Sequence, residues 1–513
     1  MTDWSHGYNV SMGYTFGFYR EMAPDWIDFA LATRGVVAPR QRSGDPFRYL
    51  ELGSGQGFGL CLLAAANPQG EFVGVDFSPE HTAHATALAS ELGLANVRFV
   101  EGDFGTLGAA WPDDLGRFDY VALHGIYSWI PLAIRHSIVD ILSAATNPGA
   151  AVYVSYNAMP GWVSTQPFQH LLRLHESEGL AKGIGAVEAG RALFEQMEAA
   201  GSGVTAALPA LKARIESTRT KPAPYLVQEY LHENWHPLWC SKVMTELGQA
   251  KLSLAASATI AENLMPAILP AAFQDILKTR SDPKLREDVT DCLINQTFRR
   301  DLFVRGVRQR HVAQSVCAED YRFWRAKPGP MPAEVTVSSG FGSVTLQRDS
   351  VAVLMDAIGE GSRTLGELAR VPAIAADPSI LNRKLLLLLH GGWLGCSRGE
   401  AEGAGRCAPV NRKVAALAGV GAPYRHLAAG NLRSAVAASE SDLILLDLHA
   451  GDPAGFEVKA AAGLRQGLAR LGRKLAREGK PLTDEEEVAE AQRQAGFFTE
   501  KTLPTWRRLG VVD

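Results

Sequence analysis

The sequence predicts an α/β fold built on a doubly wound, largely parallel sheet. Three observations carry this expectation. An apolar run beginning at Tyr49 opens into a glycine loop, Gly53-Ser-Gly-Gln-Gly57. A second run, Phe72-Val-Gly-Val-Asp76, ends in an acid about twenty residues later, the spacing of a nucleoside-binding βαβ unit. Further short apolar runs then alternate with helix-period segments, the order that builds parallel sheets.

The first strand predicts the ligand through its glycines. A G-x-G-x-x-G dinucleotide fingerprint fails in both registers, because its third position is Phe58 or Leu60. The pattern is acid-x-Gly-x-Gly-x-Gly, with Glu51 just before Gly53, Ser54, Gly55 and Gly57. Glycines let backbone approach a ligand where a Cβ would block it. A carboxylate at Glu51 suits a cationic group, such as the ammonium of S-adenosylmethionine, better than a pyrophosphate. Asp76, followed by Phe77, can accept both hydroxyls of a ribose.

This segment looks like motif I of the class I methyltransferases. The later elements continue the likeness in order. Val97-Arg-Phe-Val-Glu-Gly-Asp103-Phe104 reads as a third strand and its turn. The resemblance puts Asp103 beside the adenine amino group and Phe104 on the ring. Phe118-Asp-Tyr-Val-Ala-Leu-His124-Gly125 reads as the fourth strand, whose end in this fold faces the transferable methyl. An amphipathic helix from Ile130 leads to the fifth strand, Ala150 to Asn157. Lys251 to Ser257 and Phe298 to Arg305 are the candidate sixth and seventh strands. The implied core is Rossmann-like and seven-stranded, with ligands at the carboxyl ends of the strands.

A narrower resemblance lies in His124-Gly-Ile-Tyr-Ser-Trp-Ile-Pro131 and Val154-Ser-Tyr-Asn-Ala-Met-Pro-Gly-Trp162. Tyr225 to Pro237 and Phe298 to Arg305 continue it. These segments are similar to bacterial methyltransferases that carry a methyltransferase regulatory domain, among them the rickettsial protein-lysine methyltransferases. The likeness covers roughly the first three-fifths of the chain. One departure stands at the start, where many relatives have a Pro-Phe-Pro-Gln-Thr-His-Pro-like segment and this chain has Gly13-Tyr-Thr-Phe-Gly-Phe-Tyr-Arg. The resemblance implies methyl transfer from S-adenosylmethionine to a protein lysine. A small-molecule or RNA methyltransferase, and a non-enzymatic S-adenosylmethionine-sensing regulator, are the alternatives.

Tyr127, Trp129, Tyr156, Asn157 and Trp162 are the candidate acceptor-side residues, since they follow the fourth and fifth strands. Aromatic walls disfavour a charged amine by desolvation and can hold residual cation over a ring face. Packing in the core is the alternative reading for each. His124 is either a cofactor contact or a base. His232-Glu-Asn-Trp-His236 is a literal H-E-x-x-H, but Pro237 ends any helix there, and no metal is expected.

Size and patterning divide the 513 residues into five expected parts. An aromatic N-terminal cap (1–44, with Tyr8, Tyr14, Phe16, Phe18 and Tyr19) either closes over the cofactor or packs on the sheet. The cofactor-binding core (45–157) and a helical insertion (158–247), read as a substrate lid, follow. The last core strands (248–310) precede a smaller mixed, winged-helix-like C-terminal domain (311–513) that regulates or docks substrate. The charged tail from Lys459 to Gln494 reads as a solvated helix. Net charge of −4 argues against a nonspecific nucleic-acid footprint. Six scattered cysteines without C-x-x-C, no signal region and no apolar run of about 18 residues point to a cytoplasmic enzyme, and the resemblance implies a bacterial one. A protein substrate is the expected partner, and the oligomeric state is open, a dimer among the options.

Overall fold

The computed structural model describes residues 16–40, 42–310, 320–340, 342–399, 406–477 and 480–513. Its centre is a seven-stranded sheet: β1 (Phe47–Leu52), β2 (Gly70–Asp76), β3 (Val97–Glu101), β4 (Phe118–Leu123), β5 (Thr146–Asn157), β6 (Leu252–Ser257) and β7 (Phe298–Arg305). The order is β3-β2-β1-β4-β5-β7-β6. The first five strands run parallel, and β7 lies antiparallel to β5 and β6. The end of β4 and the centre of β5 are continuous buried runs because both faces of the sheet are covered. The order reverses between β1 and β4, so the ligand crevice falls beyond their carboxyl ends.

Helices flank the sheet and follow its strands. α1 (Pro24–Thr33) packs under the sheet, and α2 (Phe58–Ala66) springs from the glycine loop. α3 (Pro79–Leu92), α4 (Phe104–Ala109) and α5 (Leu132–Ala145) follow β2, β3 and β4. α3 and α4 are capped by Ser78 and Asp103, whose side chains accept from the His81 and Thr106 amides. After β5 come α6 (Gln166–Ser177) and α7 (Ile184–Ala199) of the expected insertion. Four more helices complete that region: α8 (Gly203–Ala207), α9 (Pro209–Ser217), α10 (Ala223–Tyr230) and α11 (Cys240–Gly248). The insertion has its own core of Trp162, Phe168, Leu172, Phe194, Leu211 and Tyr230.

Beyond β7 and β8 (Tyr321–Arg325), β9 (Glu334–Ser339) and β10 (Gly342–Gln347) pair as a separate antiparallel hairpin, as the alternation of Val335 and Val344 predicts. β11 (Ser362–Thr364) and β12 (Leu394–Arg398) flank β8. The helix Arg348–Ile358 precedes β11, and helices between Leu365 and His390 separate it from β12, the order of a winged-helix module. Asp25 of α1 accepts from the Arg398 amide at 2.8 Å, and Arg40 joins Asp25, Asp28 and Tyr120 in the same buried network. This network fastens the module to α1 and β4.

Residues 406–513 form a further layer on α2 and α3. β13 (His426–Ala429) and β14 (Ser434–Ala437) contact α2, and Phe58, Cys61 and Leu62 share a core with Val414, Leu427 and Trp506. Here the structure corrects one expectation. The tail is two helices, Phe456–Arg470 and Asp484–Phe497, separated by a short hairpin. Ala460, Leu464, Leu468 and Ala491 are buried, so both helices are packed through one face. An i, i+4, i+8 stripe of small and apolar residues outweighs the charge of the outer faces. Cys317, Tyr8, Tyr14 and the start of the 311–513 region lie outside the described residues.

Candidate active site

The glycine loop is shaped for a close ligand. Gly53, Gly55 and Gly57 all have positive φ, at 74°, 50° and 74°. A Cβ on Gly57 would meet the Ala85 Cβ at 2.4 Å, and one on Gly53 would meet Ile126 at 2.0 Å. The Gly53 and Ser54 amides donate to the Val75 carbonyl, which ties the loop to β2. The Gly55 amide donates to one oxygen of Asp76 at 2.8 Å. The other oxygen accepts from the Ser78 amide at 3.0 Å and sits 3.2 Å from His81 Nδ1. A carboxylate has about four acceptor sites, so Asp76 keeps capacity for a diol.

One end of the cleft is aromatic and charged. Phe16, Gly17, Phe18 and Tyr19 face Glu51, the glycine loop and His124 across it. The described part of the N-terminal cap therefore lines the cleft. Burial, then the nearby Asp76, pushes the Glu51 carboxyl up to about 8. A carboxyl held neutral beside a glycine cradle is a site that a cationic group would ionise. Tyr19 stacks on His124, and the Tyr153 and Ser155 hydroxyls lie 2.9 and 3.1 Å from His124 Nδ1. Burial, with Arg300 second, pushes His124 down to about 3. A ring that is neutral throughout the physiological range is a poor proton acceptor, which favours the cofactor-contact reading over the base.

The other end is apolar. Phe77, Phe104, Ile126, Ile130, Pro131 and Ile134 line it with Asp76, His81 and Asp103. Gly125, at φ 66°, donates its amide to Ser155 and completes the wall after β4. A flat heterocycle with a polar edge fits this mixture, with Asp103 at the rim. Phe16, Phe18 and Tyr19 of the expected cap line the site, while His81 and the isoleucines are site residues that sequence reasoning missed. A histidine five residues after the strand-end acid was the available signal for His81.

Of the five acceptor-side candidates, Trp129 lines the cleft. The structure does not bring Tyr127 or Tyr156 there. Both are fully buried, with hydroxyls donating to Glu246 at 2.8 Å and to Asp301 at 2.6 Å. Asn157 is buried at the end of β5 and donates from Nδ2 to Glu229 at 3.0 Å. Trp162 donates from Nε1 to the Thr297 carbonyl and packs against Trp235. Asn157 is thus held by Glu229, which the sequence reading did not single out. Its signal was a glutamate three residues after Leu226, on the apolar face of a helix.

His232 and His236 follow α10 in irregular backbone, so the H-E-x-x-H residues do not share a helix face. Burial, then Arg173, pushes His232 down to about 4. Among the described residues no group of three or more His, Cys, Asp and Glu is arranged to hold a metal ion. Nor is any helix among them long and apolar enough to cross a membrane.

Residues 44–170 match a family model described as "Methyltransferase domain", and residues 222–305 one described as "Predicted methyltransferase regulatory domain". The chain is 33% identical over 371 residues to the uncharacterized protein sll1526 of Synechocystis sp. (strain ATCC 27184 / PCC 6803 / Kazusa), covering 72% of each. It is 26% identical over 269 residues to the uncharacterized protein RP789 of Rickettsia prowazekii (strain Madrid E), covering 52% of this chain and 47% of that one. The structure of PKMT2 from Rickettsia typhi in complex with AdoHcy superposes with a TM-score of 0.68 at 17% identity, covering 97% of this chain and 99% of that one. At that identity the match shows a shared fold.

Sheet order, motif spacing and family matches together make this a class I methyltransferase that uses S-adenosylmethionine. Within that class, the chain belongs to the family that carries a methyltransferase regulatory domain and includes sll1526. The segment so described is built into the catalytic fold, because residues 222–305 supply α10, α11, β6 and β7.

Proposed function

We propose that the enzyme methylates lysine side chains of a protein. The observation that carries this reading is the reach of the structural likeness. It spans the core, the helical insertion and the C-terminal layers, 97% of this chain, rather than the cofactor core alone. The resemblance to rickettsial protein-lysine methyltransferases points the same way. Bound S-adenosylmethionine supplies an electrophilic methyl on sulfonium sulfur.

The chain's own residues divide the remaining work. Glu51 meets the cofactor's ammonium, while Gly53, Ser54, Gly55 and Gly57 give it backbone. Asp76, with Phe77 beside it, takes the ribose hydroxyls. Asp103 and Phe104 hold the adenine with the isoleucines. Tyr19 and His124 close over the methionine end, and Gly125 shapes the turn beneath it. Trp129 borders the acceptor side. A lysine amine has an ordinary pKa near about 10.4 and must lose a proton before attack. Burial in an aromatic recess favours the neutral form. The helical insertion, 158–247, is the wall through which a protein segment reaches this side, and 311–513 supports the cap from behind.

The test is incubation with methyl-labelled S-adenosylmethionine and a lysate lacking the enzyme, separated into protein, RNA and small-solute fractions. Label in discrete protein bands is expected. Label in RNA or small solutes would replace this reading with a different acceptor class. Saturable cofactor binding without label in any fraction would favour a sensing role.

A further inference from the structure

We infer that Glu229 is the acceptor-side carboxylate, holding the substrate ammonium at the end of β5 and taking its proton before transfer. The inference rests on the lysine reading above and names the group that would select an amine.

Glu229 sits where an isolated acid is costly. α10 starts after Pro222 and turns Leu226, Val227 and Tyr230 inward. Glu229 shares that inner side and is 9% exposed. Buried carboxylates normally carry a paired cation. Among the described residues, none forms an ion pair with Glu229 within 4.0 Å. Asn157 Nδ2 donates to Oε1 at 3.0 Å, and the Tyr225 hydroxyl donates as well. The nearby cation, Arg214 of α9, lies with its guanidinium 4.2 Å over the Trp162 ring and acts on Glu229 only through its charge, from beyond ion-pair distance. Burial dominates these contacts and pushes Glu229 up to about 7. The site has hydrogen-bond donors, an aromatic surround and, among the described residues, no cation in ion-pair contact, which is the complement of an ammonium on an apolar stem.

Its place relative to the cleft is fixed from two sides. Asn157 closes β5 and pairs in register with Phe298 of β7, whose ring lies 6.2 Å from that of His124. The Asn157 amide donates at 2.7 Å to Ser128, the neighbour of the cleft residue Trp129. Glu229 is therefore held by the residue that bridges both walls of the methyl-transfer end.

The step balances as follows. The lysine ammonium gives one proton to the Glu229 carboxylate. Its freed lone pair forms the N–C bond as the C–S bond opens, and the electrons of that bond stay on sulfur. The methylated ammonium then loses a proton to water, as Glu229 does.

Full-length protein saturated with S-adenosylhomocysteine is titrated calorimetrically with n-butylammonium chloride, with n-butanol as the uncharged control. Saturable amine binding is expected, without binding of the alcohol. E229Q and N157A should weaken it at least about tenfold, as loss of a charged hydrogen bond does. Unchanged S-adenosylhomocysteine affinity reports that both variants fold. Equal amine affinity in wild type and E229Q would overturn the assignment. With poly-L-lysine as acceptor, the wild-type rate should rise with pH through about 7, where Glu229 ionises. E229Q should lose that limb and E229D should recover part of the rate, which a merely structural role would not produce. An E229Q profile identical to wild type also overturns it. Amine binding that depends on Glu229 in an enzyme that labels no protein would instead remove the lysine reading and leave Glu229 as the site of a smaller amine.

Discussion

The phenol ring of Tyr19 lies stacked on the imidazole of His124, centroids 3.6 Å apart and planes at 30°. One residue belongs to the N-terminal cap and the other to the end of β4, so the contact closes one end of the cleft. Arg20, the next residue, donates to the His390 carbonyl of the C-terminal module. Cap, core and C-terminal module thus meet within two residues. Replacing Tyr19 by Ala should lower cofactor affinity about fivefold to tenfold, from the about 0.5–1.5 kcal/mol of a ring pair and lost burial. Tyr19→Phe should bind nearly as wild type. Calorimetry with S-adenosylhomocysteine separates the two.

Glu51 predicts a pH signature. In the unliganded fold its carboxyl titrates at about 8, above the unfolded value of 4.5. The folded state therefore keeps a proton that the unfolded state loses, and stability from this group falls as pH rises from about 4.5 to 8. The slope is at most about 1.4 kcal/mol per pH unit. Glu51→Gln should flatten this limb in chemical denaturation at pH 5 and 8. It should also bind cofactor at least about tenfold more weakly by losing a charged partner. A wild-type pH profile in the variant contradicts the assignment.

Gly57 sits at φ 74°, where Ala adds strain of roughly 1–2 kcal/mol. Its Cβ would also meet Ala85 and Phe99. Gly57→Ala should lower the melting temperature and reduce cofactor affinity at least about tenfold. Unchanged affinity would show that the loop does not cradle the ligand.

The hydroxyl of Tyr127 is a stability group. Tyr127→Phe leaves the buried Glu246 without its 2.8 Å donor and should cost about 1–3 kcal/mol in denaturant unfolding. Cofactor affinity should stay within about twofold, because Tyr127 does not itself line the cleft. A large loss of affinity with unchanged stability would place Tyr127 in the site after all.

Much of the fold was legible because it rests on short-range patterns. Phe298–Arg305 is β7 residue for residue, and Gly57 caps α2 one position before the helix begins. The strand-end residues of the site, Glu51, Asp76, Asp103 and His124, follow from where β1 to β4 stop. The acceptor side was harder to read. Adjacent strand residues point to opposite faces, so only one of Tyr156 and Asn157 can face the cleft side. The strand passes through Tyr153 and Ser155, which meet His124, so Asn157 shares their face and Tyr156 turns to Asp301. That parity becomes usable once His124 is known to sit beside β5. Glu229 was hidden for the same reason, since its partner comes from 72 residues away. The tail helices looked solvated because what covers them, residues of the C-terminal layer, is recorded in no local pattern.

The most direct test of protein-lysine methylation is amino-acid analysis of protein labelled from methyl-labelled S-adenosylmethionine by the wild-type enzyme. After acid hydrolysis, the label should run with the N-ε-methylated lysines and be absent when the enzyme is omitted. Label running with methylarginine or methylhistidine, or lost as a base-labile ester before hydrolysis, would contradict the account.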